Sequence, residues 1–439
     1  MSASKPRSSY GRGAAILSVG IGATGLITFA YFSLASHALP EDEYGRITLL
    51  WSAVFITVSV LYRPVEQLLS RTIADHDARG VQGTEHLRIA AIIQLGLGVL
   101  FVVVALALRG PIQDDLFGGS SALYWILVVA VLAYAASYFA RGYLAGHHLF
   151  PLYGGLVLME ATSRCLFALA VAVGIAEGQT AVALGMAAAP IVSLTVVPPA
   201  LARRLDRQRS APEADPEQLD AAARDEPAAR EPEFTLARGT GFAAAVLVVM
   251  LCEQTFLNAG PLLVKATADT GGAALAGFAF NVLLIARAPL QLFQAVQTSI
   301  LPHLTRARAG GERETFARSV NVTLTAIAGF AGIVALVMLA IGPTVMDVLF
   351  GGDFDYDRAG LVLVSIGMGL YLSAATLNQA LLAHARARQS ATCWVACATA
   401  FVLFLLLVDF DDRVLQVEVA FLGAAALLAG SLYALYSRA

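Results

Sequence analysis

Charged side chains, cysteine and histidine are all scarce in this chain of 439 residues. Asp, Glu, Lys and Arg make up 14% of it, whereas soluble domains contain about 25%, and so few charges cannot cover several soluble cores. The net charge of −3 lacks the basic excess typical of nucleic-acid-binding proteins, so we expect no nucleic acid partner. Four cysteines and seven histidines are too few and too scattered for a disulfide framework or a metal centre. We therefore expect neither a metal nor a cofactor.

Apolar residues make up 58% of the chain, and the mean hydropathy is +0.70. Twelve apolar runs of about 20 residues are separated by charged or turn-rich gaps, and each is long enough to cross a bilayer as a helix. Because backbone polar groups must be paired inside the hydrocarbon, such runs are helical. The sequence therefore predicts an all-α polytopic membrane protein whose twelve transmembrane helices lie near residues 13–35, 46–68, 87–108, 121–143, 151–175, 181–201, 239–264, 273–300, 318–342, 359–383, 390–408 and 415–436.

The distribution of Lys and Arg predicts the orientation of these spans. With the N-terminus in the cytoplasm, the inner segments carry 21 of the 29 basic residues, the outer segments carry five, and three lie within spans. Positive charge concentrates on the cytoplasmic side of membrane proteins, so we expect both termini in the cytoplasm. The predominance of Arg over Lys, 27 to 2, is typical of GC-rich bacterial coding, and we expect a bacterial plasma membrane.

A stretch rich in Ala, Pro and charge, residues 206–234, contains nine acidic and four basic residues. Such a composition is typical of disorder and divides the chain into six spans and six spans. We predict a cytoplasmic tail (1–12), a first bundle (13–201), a disordered cytoplasmic linker (202–238) and a second bundle (239–439). Weak sequence similarities between the halves, such as Arg63-Pro64 and Arg287-Ala288-Pro289, favour a duplicated transporter with a site near the midplane.

Several ionisable residues lie inside the predicted spans. A charge at the bilayer centre costs about 2.5–3.5 kcal/mol, so each one needs a partner, a water-filled cavity or a substrate. Arg63 and Glu66 share one face of the second span, where Pro64 is expected to kink the helix. Glu160 and Arg164 are four residues apart in the fifth span. Each pair either neutralises itself or lines a cavity.

Polar residues also recur in the seventh and eighth spans. Glu253 has no basic partner on its own helix, and Arg287, Gln291 and Gln294 form a stripe on the eighth span. A stripe of this kind must face protein or water; the alternative is a Glu253–Arg287 bridge without a transport role. Arginine suits phosphate because its planar fork binds two oxygens, and a carboxylate without a partner suits a coupling ion. The predicted substrate-binding residues are Arg63, Arg164, Asn258, Asn281, Arg287, Gln291 and Gln294, and the coupling-ion candidates are Glu66, Glu160 and Glu253.

Three segments resemble a known family. Residues 39–45 (LPEDEYG) resemble the LP-x-x-x-YG loop of bacterial polysaccharide flippases. These Wzx-like proteins belong to the multidrug/oligosaccharidyl-lipid/polysaccharide (MOP) exporter superfamily. Residues 141–146 with Phe150 and Tyr153 resemble the segment that joins that family's fourth and fifth spans, and residues 287–302 resemble its eighth span. The resemblance extends over the whole chain in span number, orientation and linker position.

The resemblance implies two six-helix bundles around a central cavity that opens alternately to each side, as in MATE transporters. It implies a flippase, not an enzyme, that moves a polyprenyl-phosphate-linked oligosaccharide or sugar from the cytoplasmic to the outer leaflet for polysaccharide or cell-envelope glycan biosynthesis. Arg63, Arg164 and Arg287 would then contact the phosphate. Implied partners are the lipid-linked glycan, the bilayer and other polysaccharide assembly proteins. The chain lacks the two further C-terminal helices of lipid II flippases, which disfavours a peptidoglycan precursor as cargo.

Three alternatives remain open at this point. The first is a proton- or sodium-coupled multidrug exporter of the same superfamily, which would favour unpaired carboxylates in the cavity, whereas the acids here are matched one for one by Arg. The second is a non-transporting scaffold that recruits partners through the linker. The third is a membrane enzyme that transfers glycans, for which only the acidic run 353–357 would serve.

Overall fold

A computed structural model describes residues 7–78, 84–196, 198, 236–268, 271–285, 313–351, 355–384 and 386–438. Helices joined by short turns make up almost all of this part of the chain, and it contains no strand. The helices are α1 (Arg7–Ala38), α2 (Glu41–Leu61), α3 (Arg63–Ala78), α4 (Glu85–Ala107), α5 (Ser121–Gly146), α6 (Phe150–Ala172), α7 (Gly178–Ser193), α8 (Leu236–Thr267), α9 (Gly272–Ile285), α10 (Arg313–Phe350), α11 (Arg358–Ala383), α12 (Ala387–Leu407) and α13 (Arg413–Tyr436).

The helices account for the predicted spans. Within the described residues nine segments are long and apolar enough to cross a membrane, and α2 and α3 together form one of them. The shorter apolar helices α7 and α9, together with the 32-residue α1, complete the series. The prediction of an all-α polytopic membrane protein is confirmed. Of the predicted linker 202–238, residues 202–235 lie outside the described residues, and α8 begins at Leu236, three residues before the predicted bundle.

Local chemistry explains where several helices begin. Ser120, Asp357 and Asp412 precede α5, α11 and α13, and each side chain accepts a hydrogen bond from a backbone N–H of the first turn. Such caps pair donors that the helix itself leaves free. Between α2 and α3 the α-helix is interrupted at Tyr62, two residues before Pro64. Proline has no N–H to donate to the preceding turn, which accounts for a break at this position.

The first and second halves of the chain pack together at one end, which we call the closed end. The Tyr44 hydroxyl donates a hydrogen bond to Asn281 Oδ1, and Asn281 Nδ2 donates to the Tyr356 hydroxyl over 3.1 Å. Gly45 lies so close to the carbonyl of Ala273 that a side chain at position 45 would overlap it. Glycine is therefore required here for close approach of the two backbones.

Candidate functional site

Six ionisable residues of four spanning helices form what we call the charged cluster. They come from α3, α5 and α6 of the first half and from α8 of the second. Its members are Arg63, Glu66, Arg141, Glu160, Arg164 and Glu253. The helices can approach because Gly142 of α5 lies against α3, where a Cβ atom would be 2.9 Å from the Glu66 carbonyl oxygen.

Glu160 lies between two arginines. It forms a hydrogen-bonded ion pair with Arg141, and the side chains of the two residues are 2% and 12% exposed. Its other oxygen, Oε1, is 3.9 Å from Nη1 of Arg164. Burial of charge is tolerated only where opposite charges and hydrogen bonds compensate it, so Glu160 is the group that allows both arginines to be buried here.

Aromatic rings enclose the guanidinium of Arg164. Its Nη1 donates a hydrogen bond to the Tyr134 hydroxyl over 2.6 Å, and its Cζ lies 4.8 Å from the Trp51 ring centroid and 5.4 Å from that of Phe55. A cation over aromatic faces is stabilised by the quadrupole of each ring. Protein groups on α2, α5 and α6 therefore hold Arg164, and the pairing with Glu160 expected from the sequence is present at 3.9 Å, longer than the hydrogen bond to Tyr134.

Arg63 links the two halves electrostatically. Its charge lies near enough to those of Glu66, on its own helix, and Glu253, on α8, for electrostatic attraction, at distances longer than the 4.0 Å of an ion pair. Glu66 Oε1 accepts a hydrogen bond from the Tyr153 hydroxyl over 2.8 Å, and it also interacts with Arg141. Arg63 and Glu253 are half-buried. Among the described residues the basic neighbour of Glu253 is Arg63, and Arg287, the partner that the sequence suggested, lies outside them.

The charges of the cluster balance only when the two halves are taken together. The first half contributes three arginines and two glutamates, and Glu253 of the second half supplies the third negative charge. Separation of the halves at this level would leave one uncompensated positive charge on the first half. In the described part of the chain, Nε of Arg141 and Oε1 of Glu160 also lack hydrogen-bond partners. Buried polar atoms without a partner are rare in folded proteins, so the hydrogen bonding of the cluster is incomplete at these two atoms.

The other predicted site residues lie elsewhere. Asn258 is buried one turn further along α8 and donates a hydrogen bond to the Gln254 side chain over 3.0 Å. Asn281 is fully buried at the closed end, where it bonds Tyr44 and Tyr356 rather than facing the cluster. The predicted contacts that fall outside the described residues are Arg287, Gln291 and Gln294.

The sequence analysis did not select Arg141 as a site residue: it falls within the predicted span 121–143 but was counted among the basic residues of the inner segments. It lies within α5, which extends to Gly146, and its Cζ lies 4.6 Å from the Tyr138 ring centroid. Tyr134, Ser137, Tyr138 and Arg141 follow one another at positions i, i+3, i+4 and i+7, and so share one face of the fourth span. That polar and aromatic face was the signal available in the sequence.

The described residues contain no group of three or more His, Cys, Asp or Glu side chains placed to hold a metal ion. The cluster consists of arginines and glutamates, with tyrosines packed against them. In such a cluster guanidinium groups can receive anions and carboxylates can receive cations.

Solved structures identify the fold. No protein-family model and no curated protein matches the chain. A mutant of the Vibrio cholerae MATE transporter VcmN matches with a TM-score of 0.63 and 14% identity, over 98% of both chains. The eukaryotic MATE transporter AtDTX14 matches with a TM-score of 0.65 and 12% identity, over 97% of this chain and 95% of its own. A MOP superfamily transporter from Pyrococcus furiosus matches with a TM-score of 0.59 and 12% identity, over 97% and 95%. The fold is that of the MATE transporters of the MOP superfamily.

Replacement of Glu160 by glutamine is expected to destabilise the protein strongly. The substitution keeps the shape of the side chain but leaves Arg141 and Arg164 without their shared carboxylate, and breaking a buried ion pair costs about 3–5 kcal/mol. Thermal unfolding of the purified protein in detergent measures the effect. Glu177→Gln, at an exposed position before α7, is the matched control and should unfold like wild type. Equal unfolding temperatures for the two variants would contradict this role of Glu160.

Proposed function

We propose that the protein is an alternating-access flippase for a polyprenyl-phosphate-linked sugar or oligosaccharide in the plasma membrane of a bacterium. The observation that carries the proposal is the position of Arg63 and Glu253 on opposite halves, near enough for their opposite charges to attract. An anionic phosphate can pair with Arg63 as the carboxylate of Glu253 can, because the planar guanidinium donates hydrogen bonds to two oxygens of either group. Cargo and Glu253 therefore compete for the same arginine.

This competition couples binding to movement of the halves. In the predicted orientation the closed end lies on the outer side, which corresponds to an inward-facing state. A head group that enters from the cytoplasm takes the place of Glu253 as the counter-charge of Arg63, and so weakens the electrostatic attraction between the halves. The halves then close on the inner side and separate at the closed end, which releases the head group to the outer side. An inside-negative potential favours this direction by about 2.3 kcal/mol per negative charge per 100 mV.

The domain plan belongs to the same proposal. We assign residues 13–201 and 239–439 to the two bundles that move against each other, 202–238 to a cytoplasmic linker between them, and both termini to the cytoplasm. The bilayer holds the apolar tail of the cargo, and other polysaccharide assembly proteins supply and consume it. In this account Arg63 binds the head group. Arg141 and Arg164, whose charges Glu160 compensates, stabilise the packing of α5 and α6 within the first bundle.

The test is a gene deletion followed by extraction of lipid-linked sugars. We expect one polyprenyl phosphate species to accumulate in the cytoplasmic leaflet, and its identity names the cargo. Wild type should reverse the accumulation. Arg63→Gln should not, whereas Arg388→Gln, at an exposed position in α12, should behave like wild type. Absence of any accumulation would contradict the proposal.

A cation-coupled multidrug exporter is the second candidate. Glu253 favours it, because a half-buried carboxylate whose one basic neighbour among the described residues is Arg63 can exchange that neighbour for a cationic substrate or a coupling ion. This candidate predicts that deletion changes drug sensitivity without a build-up of lipid-linked sugars. It also makes Glu253→Gln more harmful than Arg63→Gln, which is the opposite order to that expected for the flippase.

A further inference from the structure

A buried glutamate outside the charged cluster lies in the second half, beside the closed end. Glu418, in the second turn of α13, is 5% exposed. Its carboxyl group lies against the backbone of Gly360 in the first turn of α11, in the space that a Cβ atom at position 360 would occupy. The glycine therefore allows the carboxyl group to lie between the two helices, because any larger residue would overlap it.

The charges around this carboxyl group are negative. Among the described residues, the charged groups close enough to act on Glu418 are the carboxylates of Asp412 and Asp357. The N-terminus of α11 has a partial positive charge, but the N–H of Gly360 already donates a hydrogen bond to Asp357 Oδ2 over 3.2 Å. An ionised Glu418 would thus be buried beside two like charges, and burial of a charge without a counter-charge is costly.

In the described part of the chain, no basic side chain compensates this carboxyl group. The closest in sequence, Arg413, pairs through Nη2 with Asp409 over 2.7 Å. Arg358 is exposed on the first turn of α11, and Lys265, near the end of α8, lies over the start of α9. On α12, residues 398–407 contain no ionisable side chain. Burial and repulsion by like charges both favour the protonated form of a carboxyl group, so a proton is the cation that suits this site.

The segment that Glu418 contacts also forms part of the closed end. Tyr356, just before α11, is buried, and its hydroxyl accepts a hydrogen bond from Asn281 over 3.1 Å. Asn281 in turn accepts a hydrogen bond from Tyr44 of the first half. A negative charge on Glu418 would repel Asp357, the residue after Tyr356, and so disfavour the position of the segment at this contact. A neutral Glu418 leaves the segment in place, so protonation and the closed end support each other.

We propose that Glu418 is a proton-binding site that stabilises the closed end, and that it releases its proton to the outer side when that end opens. On release, the O–H bond of the carboxyl group breaks and the proton passes to water, which leaves a carboxylate. The exposed carboxylates of Asp357 and Asp412 connect the site to the outer solution. Because linkage is reciprocal, the closed end is most stable at low outer pH, and acidification of the outer side should slow translocation. The inference goes beyond the proposed function and is the same for any cargo.

Infrared spectroscopy of the purified full-length protein in nanodiscs tests the proton directly, because the C=O band of a protonated carboxyl group is separate from the bands of a carboxylate. At neutral pH the difference spectrum between wild type and Glu418→Gln should contain the band of one protonated carboxyl group. This band should disappear as the pH is raised. The matched control is Glu177→Gln, at an exposed position, whose difference spectrum should contain no such band.

A second variant tests the acidic surroundings and keeps the carboxyl group itself. Asp412→Asn retains the helix cap, since asparagine caps as well as aspartate does, but it removes one of the two like charges beside Glu418. Ionisation of Glu418 should become easier, so the band should disappear at a lower pH than in wild type. Asp411→Asn, an exposed neighbour in the same loop, should leave the titration of the band unchanged.

The link to the closed end is tested by a distance across it. Spin labels at Asp42 and Asp355, exposed and on different halves, should move apart in wild type over the pH range in which the band disappears. Glu418→Gln is neutral at every pH, so its labels should stay at the short distance throughout that range.

Two results would overturn the inference. A difference spectrum without the protonated band at neutral pH would mean that Glu418 is ionised in the folded protein. A label distance that follows pH equally in wild type and Glu418→Gln, or in neither, would mean that the proton does not control the closed end. None of these measurements needs cargo, so their outcome is separate from that of the proposed function.

Discussion

Transport should fall sharply when Arg63 is replaced by glutamine, and it should stay low when Glu253 is replaced by glutamine as well. A hydrogen bond to a charged group contributes about 1.5–3 kcal/mol, so loss of the phosphate contact should reduce head-group binding roughly ten- to hundredfold. The single variant also leaves Glu253 without its basic neighbour, and the double variant removes both charges. We therefore expect the double variant to recover stability but not transport.

This pair of variants separates a binding role from a structural one. Thermal unfolding in detergent reports the stability of each protein, and the translocation of the lipid-linked sugar to the outer leaflet in cells reports transport. If the Arg63–Glu253 interaction only held the halves together, the neutral double variant would transport like wild type. Recovery of transport in the double variant would therefore contradict the assignment of Arg63 to the head group.

Gly277→Leu should prevent the closed end from forming. A Cβ atom at position 277 would lie 3.1 Å from the Cα of Gly45 and 3.2 Å from the Tyr44 ring, so a leucine has no space while the two halves are in contact. The inward-facing state would be lost, and transport should fall to background because alternating access requires both states.

A distance measurement reports this shift directly. Spin labels at Asp42 and Asp355, both exposed and on different halves, should move apart in Gly277→Leu. Gly110→Leu, where an added Cβ meets no atom within 4 Å, should retain the wild-type distance and transport. Unchanged label distances in Gly277→Leu would mean that this contact does not define a conformational state.

The spans were predictable from the sequence because every helix that crosses the hydrocarbon needs about 20 consecutive, mainly apolar residues. The apolar run 121–143, for example, corresponds to α5, which ends at Gly146. Its predicted inner boundary lies three residues before the end of the helix, and Arg141, just inside that boundary, was counted with the cytoplasmic charges. A buried arginine lowers the average hydropathy whether or not it has a partner, so the average cannot distinguish a paired charge within a span from an interfacial one.

The tertiary partners within the site were less predictable. The i, i+4 spacing indicated a Glu160–Arg164 pair, yet Glu160 bonds Arg141, nineteen residues earlier on another helix. Local spacing identifies neighbours on one helix, whereas the helix that packs against it depends on close contacts such as Gly142 against α3. Asn281 was predicted from its place beside a polar stripe, but its hydrogen bonds at the closed end are contacts with α2 and the segment before α11.

Reconstitution into liposomes tests the central claim most directly. The purified protein is inserted into vesicles that contain a fluorescent polyprenyl-phosphate-linked sugar, and an impermeant quencher reports how much of it changes leaflet with time. The account predicts rapid translocation by wild type and by Arg388→Gln, and none above protein-free vesicles by Arg63→Gln. Equal rates for wild type and Arg63→Gln would contradict it, because the head group would then cross without the arginine on which the proposed mechanism depends.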